Sequence, residues 1–427
     1  MRDSQIVVGV DIGSSKIATV IGQVTDENIN ILGVSEVPSK GIRKGQIVDI
    51  EEAASGINGA LDSAERMAGY SVDQVFVSLS GVHIQGQTSK GIVAISNPNG
   101  DITPIDVDRV LEAAGAISMP STTVPLHVLP KTFTVDGEGN IKDPVGMTGV
   151  RLEVDTHIVS ANSVSVKNIQ RVLEQEAGVG INAVVYSGLA SSLAVLTDTE
   201  KELGVILVDL GAGITNICVF VDGALSYSSV IPIGARHITN DLAIGLRISL
   251  DSAETIKLHL SKNYNAKSKR EKGEDGEDDL DLASLNLTED VKKVSQKTLV
   301  EGIIKPRLNE LFTMVGLEIK KSGFGTQTPA GLVITGGGAR TVGAEESARR
   351  MLSMPVRIGT PQNIGGLIDD VDNPSFATSI GLLVFGRDFK GASEGNMFGG
   401  MLSGFKFKKM ADITNMIKKL LKNFAPK

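Results

Sequence analysis

The sequence predicts an α/β protein made of two duplicated α/β domains around a shared cleft, with an inserted α+β subdomain and a C-terminal amphipathic helix. Three observations lead there. First, a buried strand, an Asp-x-Gly turn and a second buried strand occur twice. Ile6-Val7-Val8-Gly9-Val10 runs into Asp11-Ile12-Gly13-Ser14-Ser15-Lys16 and then an apolar 17–21; Val205-Ile206-Leu207-Val208 runs into Asp209-Leu210-Gly211-Ala212-Gly213-Ile214-Thr215 and then 216–221. The two Asp residues are 198 positions apart, a distance that implies repeated domains, each lending one loop to a common cleft. Second, another glycine cluster, Gly336-Gly337-Gly338-Ala339-Arg340, follows the apolar run Leu332-Val333-Ile334-Thr335. Third, the composition changes abruptly beyond residue 390.

In chain order, residues 51–69 read as a helix and 72–79 as a strand. Residues 84–161 are rich in Gly, Pro, Thr and Val, and Asn97-Pro98-Asn99-Gly100 and Asp136-Gly137-Glu138-Gly139-Asn140 are strong turn signals. The one good helix in that block is 106–117, so the block is expected to be a small α+β insert. Helices follow at 164–177 and 187–196, the second carrying the chain into the second domain. Residues 238–325 read as mostly helical, interrupted by a charged run with almost no apolar residue, which suits a solvated loop. Residues 343–352 and 376–385 read as helices, and five glycines within 391–404 suggest a flexible linker. The expected division is 1–83 with 163–200 for the first α/β domain and 84–162 for the insert. The second α/β domain takes 201–237 with 328–386. Residues 238–327 form a mostly helical subdomain beside the cleft, with an acidic loop at 267–281. A linker, 387–404, leads to a terminal helix, 405–427.

Bulk composition narrows the function. The chain has 427 residues, 41 % of them hydrophobic, no Trp and a net charge of −8. An acidic chain poor in aromatic residues argues against a nucleic-acid partner. The charge is uneven: residues 406–427 hold seven Lys and one Asp, a net of +6, leaving −14 for the rest. A basic tail on an acidic body implies a partner for the tail. The lone Cys218 lies in an apolar strand pattern and reads as a small buried hydrophobe in a reducing compartment. The five His residues show no metal-ligand spacing, so no structural zinc is expected. The N-terminus lacks a long apolar stretch and no segment reaches the ~18 apolar residues of a spanning helix, so any membrane attachment is expected to be peripheral.

A phosphate chain requires close backbone donors, and glycine lets the backbone approach. Mg²⁺ is usually held by few carboxylates together with water and phosphate oxygens. Asp11 and Asp209 stand at corresponding strand ends, where both could face one ion through water. Gly13, Ser14, Ser15 and Lys16 would grip phosphates from one side, and Gly211, Gly213 and Thr215 from the other. Alone, each Asp-x-Gly turn is more often just a hairpin; two copies with Gly336, Gly337 and Gly338 make three unrelated turns improbable. There is no P-loop element in a strand–helix context. The order Asp-x-Gly-Ser, Asp-x-Gly-x-Gly-x-Thr, Gly-Gly-Gly resembles the phosphate and adenosine motifs of the actin, Hsp70 and sugar-kinase superfamily. Within it, the chain resembles the FtsA family of bacterial cell-division proteins, at residues 10–16, at Ser187-Gly188-Leu189-Ala190-Ser191-Ser192, at Ile233-Gly234-Ala235 and at 335–339. The resemblance extends over essentially the whole chain and implies an actin-like fold that binds ATP with Mg²⁺. It also gives Ala253-Glu254-Thr255-Ile256-Lys257 a role, since this matches a helix of bacterial actins whose Glu meets the ribose and whose Lys lies near adenine. On spacing alone, Glu254 and Lys257 are an i,i+3 pair that could equally be a solvated ion pair. No residue that positions a hydrolytic water stands out, so ATP binding with weak ATPase activity at most is expected.

With Met410 at 0° on a helical wheel, Ile413, Ile417, Leu420, Leu421 and Phe424 fall within about 280° to 20°, while Lys418, Lys419 and Lys422 fall on the polar face. The ordinary alternative is a helix folded onto the body. Its position beyond a glycine linker, the cationic face and the acidic body favour an anionic lipid membrane instead, with Phe405 and Met410 joining the apolar set. The resemblance further implies a location at the division site, on the cytoplasmic face of the cell membrane. It implies docking of the C-terminal peptide of the tubulin-like GTPase FtsZ on the helical subdomain, with Lys297, Lys305 and Arg307 as candidate contacts. Self-association into actin-like protofilaments and recruitment of other division proteins are also implied. An ATP-binding pilus-assembly protein and, further off, a sugar kinase are the competing readings.

Overall fold

The computed structural model describes residues 4–389 except 26–27, 98, 268–278, 282–284, 286, 288 and 290–292. The chain opens with β1 (Gln5–Ile12), turns back as β2 (Lys16–Val24) and continues into β3 (Ile29–Pro38), all antiparallel. A short ribbon, β4 (Ile42–Arg43) with β5 (Gln46–Ile47), leads to helix α1 (Ile50–Ala68). The Asp49 side chain accepts from Glu52 N–H at the start of α1, and Gly69 ends it in the left-handed conformation. Strand β6 (Gln74–Leu79) then pairs parallel to β1. The insert follows: β7 (Gln85–Ala94), α2 (Pro104–Gly115), β8 (Thr123–Val135), β9 (Glu138–Ile141) and β10 (Arg151–Asn162), with sheet order β7-β10-β8-β9. It has its own core of Ile102, Val110, Leu111, Phe133, Leu152 and Val154. Helix α3 (Ser163–Gln170) returns the chain to β11 (Gly180–Tyr186), parallel to β6.

Helices α4 (Ser187–Val195) and α5 (Asp198–Leu203) lead to a second sheet, opening with β12 (Val205–Leu210), β13 (Thr215–Val221) and β14 (Ala224–Ile231). Every residue of β12 is buried, as its unbroken apolar run requires of a central strand. Next come α6 (Arg236–Leu246), α7 (Leu250–Lys267), β15 (Asp279–Asp281), β16 (Lys293–Ser295), α8 (Gln296–Leu299) and α9 (Lys305–Ser322). Strand β17 (Leu332–Thr335) runs parallel to β12; α10 (Ala344–Leu352) and then β18 (Val356–Ile358), parallel to β17, follow. The chain finally crosses back. Strand β19 (Ile364–Gly366) joins the outer edge of β3, and α11 (Ile368–Val371) and α12 (Ala377–Asp388) follow.

The two large sheets follow one plan: β3-β2-β1-β6-β11 in the first, β14-β13-β12-β17-β18 in the second. In each, three antiparallel strands are extended by two parallel ones. The expected helix at 106–117 begins earlier, because Thr103 caps it and Pro104 occupies its first turn. Both ends of the expected acidic loop, 267–281, are in regular elements: α7 includes Lys267, and Asp279–Asp281 pairs with Lys293–Ser295. Helix α12 runs to Asp388, into the expected linker. Residues 268–278, the linker from 390 to 404 and the whole of 405–427 lie outside the described residues.

Candidate functional site

Between the two sheets lies a cavity of about 780 Å³, within the size range of small-ligand sites. The β1–β2 and β12–β13 turns that line it are built alike. Gly13 N–H donates to Lys16 O at 3.0 Å, and Gly211 N–H to Ile214 O at 3.0 Å. Ile12 faces Ile17 and Leu210 faces Thr215 across the two registers. The Gly13 and Gly211 amides therefore close their own turns. The amides of Ser14, Ser15, Ala212 and Gly213 have no acceptor among the described residues, and all four residues line the cavity. Successive unpaired amides in a turn form an anion-binding concavity. Gly336, just beyond β17, completes the lining with Gly337 and Gly338. Its φ of 82° and the overlap a methyl group would have with Asp209 Oδ1 mean that only glycine brings the third loop this close.

Asp11 and Asp209 occupy matching positions in β1 and β12 and line the same cavity. Ser78 Oγ, on β6, donates to Asp11 Oδ1 at 2.7 Å and accepts from Ile12 N–H at 3.0 Å. Ser191 Oγ on α4 and Asn216 Nδ2 on β13 donate to Asp209 Oδ2 at 3.0 and 3.1 Å. Asn216 Oδ1 in turn accepts from Ser80, just past β6, so one strand of the first sheet supports both carboxylates. Burial raises the Asp11 pKa, against the Ser78 hydroxyl and the Lys16 charge. Burial, then the charge of Asp11, pushes Asp209 up to about 6, against its bonds to Ser191 and Asn216. A buried carboxylate, Asp209, raised further by the charge of the half-buried Asp11 suits a divalent cation. Among the described residues no group of three or more His, Cys, Asp or Glu is placed to hold a metal. An ion here would face these two Asp through water and take its ligands from water and phosphate, as Mg²⁺ does.

Lys16 lines the cavity, but its ammonium is engaged with Glu36, Ser375 and the Phe376 ring. Thr215 is not in the lining. It is the register counterpart of Ile17 in β2 and points inward: fully buried, its hydroxyl donates to Ile233 O at 2.7 Å. Glu254 and Lys257 on α7 both reach the cavity and pair at 2.7 Å. Lys257 also donates to Thr239 at 3.0 Å and is buried, while the Glu254 side chain is 42 % exposed, so the pair is solvated on the glutamate side alone. Sequence reasoning missed Ser78, Ser191, Asn216, Lys262, Arg340 and Thr378, which line or support the cavity. Of the candidate peptide contacts, Lys297 is exposed on α8. Lys305 is paired with Glu301 and Glu346, and Arg307 with Asp241 and Glu310, so the charges of both are already engaged. Among the described residues no helix is long and apolar enough to cross a membrane. Phe405, Met410, Ile413, Ile417, Lys418, Lys419, Leu420, Leu421, Lys422 and Phe424 lie outside those residues.

Two α/β domains of one plan, facing each other across a cleft floored by paired Asp-x-Gly turns, define this chain as a protein of the actin-like fold. A chain of the solved PilM–PilN type IV pilus biogenesis complex matches it with a TM-score of 0.60 over 89 % of this chain and 98 % of that one; at 16 % identity this likeness concerns the fold alone. The family model for the cell division protein FtsA matches residues 206–381, and the model for the SHS2 domain inserted in FtsA matches residues 81–160. The chain is 38 % identical over 391 residues to cell division protein FtsA of Pseudomonas aeruginosa, covering 90 % of each. It is 37 % identical over 385 residues to that of Bacillus subtilis, covering 90 % of this chain and 84 % of the relative. The chain belongs to the FtsA family of cell-division proteins.

Proposed function

We propose that this protein binds Mg²⁺-ATP in the cleft, hydrolyses it slowly or not at all, and tethers filaments of the tubulin-like GTPase FtsZ to the cytoplasmic face of the cell membrane, helping to recruit later division proteins. One observation carries the nucleotide part: two identically built turns, whose outer amides have no acceptor among the described residues, face one cavity that also holds the buried Asp209 and the half-buried Asp11 whose charge raises it. In this reading Ser14, Ser15, Gly213 and the Gly336–Gly338 loop surround phosphate. Asp11 and Asp209 hold Mg²⁺ through water, and Glu254 and Lys257 meet the nucleoside. Bound there, the ion would neutralise phosphate charge and relieve the repulsion between the two Asp residues.

The membrane part rests on the sequence pattern of 405–427, and the FtsZ and filament parts rest on family membership. Co-sedimentation of the full chain with anionic liposomes and purified FtsZ, with and without ATP, tests them together. The full chain is expected to pellet with vesicles and bring FtsZ down; Leu420→Glu with Leu421→Glu is expected to leave both in the supernatant. Equal pelleting of that variant, or no pelleting of the wild type, refutes the anchor. A steady-state assay showing rapid ATP turnover by the isolated chain refutes the binding-only reading.

A further inference from the structure

We propose that Glu36 is a built-in competitor of phosphate for Lys16, so that nucleotide binding exchanges one anion for another on a single ammonium group. The inference rests on the nucleotide reading above and concerns the regulation of that site. Lys16 leaves the β1–β2 turn with its Nζ 2.6 Å from Glu36 Oε2 on β3, 3.1 Å from Ser375 Oγ and 3.8 Å from the centre of the Phe376 ring. A carboxylate, a hydroxyl and an aromatic face thus take up a group that has three protons to donate. Only Glu36 among the three carries charge.

The pair is lopsided in exposure: the Lys16 side chain is 19 % exposed and that of Glu36 51 %. Attraction to so exposed a carboxylate is screened and weak, and the carboxylate can turn into water when a more highly charged anion arrives. Ser375 and Phe376, by contrast, hold the lysine at the cavity wall. Ser375 is bonded to Asn373, and the intervening Pro374 O accepts from Gly336 N–H at 3.0 Å, so this segment is tied to the third glycine loop. Lys16, Glu36, Ser375 and Phe376 all line the cavity that the two turns enter. Glu36 keeps the ammonium neutralised, and each nucleotide has to outbid it, the more easily the more phosphates it carries.

The test is displacement of a fluorescent ATP analogue from the full chain by ATP, ADP and adenosine, in the wild type, Glu36→Gln, Lys16→Ala and the double variant. Glu36→Gln is expected to tighten ATP about two- to fivefold, ADP less and adenosine not at all. In the Lys16→Ala background the Glu36 change is expected to have no effect. Unchanged or weaker ATP binding by Glu36→Gln overturns the competition, as does an equal gain without Lys16, which would be a general effect of removing a negative charge. Wild-type binding with no Glu36 effect leaves the nucleotide reading standing; a wild type that does not bind the analogue removes that reading and this inference with it.

Discussion

The Asp209 carboxyl sits in a place its own charge disfavours. Burial and the nearby Asp11 push it up to about 6 from an ordinary 3.8, so the folded chain keeps a proton that the unfolded chain has already released. That contribution to stability is complete below about pH 4 and is lost as the pH rises through 6. Compared with Asp209→Asn, the wild type is expected to lose about 2–3 kcal/mol of unfolding free energy between about pH 4 and pH 7. Denaturant unfolding of the two across that range checks it, and parallel profiles would contradict it. The two Asp residues were legible because each lies in a hairpin whose whole pattern recurs. Their supports were not. Ser78 lies 67 residues from Asp11, and a serine near the end of a strand has no local signature. Thr215 misled for a related reason: it follows the second glycine turn in sequence, but the strand's alternation turns it away from the cavity.

At the scale of elements, the packing of α4 against α12 reaches the site directly. Gly381 lies so close to Ala190 O that a methyl group would overlap it. Around that approach Ser191 is hydrogen-bonded to Thr378 at 2.9 Å and donates to Asp209. Gly381→Ala is expected to force the helices apart, cost about 1–3 kcal/mol and loosen the support of Asp209. A denaturation midpoint unchanged from the wild type would contradict it. Helix existence was readable from periodicity, as at 51–69 against the observed Ile50–Ala68, because apolar spacing reports which face is buried. Ends were read less well where a cap preceded the first apolar residue, as Thr103 does ahead of α2. The close crossing at Gly381 could not be read, since a glycine in an apolar helix does not say which backbone it admits.

At the scale of the molecule, the duplicated hairpins were enough to expect duplicated domains, and the matched strand orders extend that repeat to whole sheets. How the insert is seated was hidden. His127 on β8 accepts from Tyr186 N–H on β11 at 3.0 Å, and His157 on β10 is hydrogen-bonded to Ser228 on β14 at 2.8 Å, so the insert touches both domains. Burial lowers both histidines to about 4, which keeps them neutral at pH 7. No spacing in the sequence announces contacts made across such separations. The central claim is that the two Asp-x-Gly turns act as one Mg²⁺-nucleotide site. It is tested most directly by calorimetric titration of ATP into the full chain, with and without Mg²⁺, in the wild type, Asp11→Asn and Asp209→Asn. Saturable, Mg²⁺-dependent binding to the wild type, weakened about tenfold or more in each variant, is the expected result. Equal affinity in either variant, or no binding to the wild type, would contradict it.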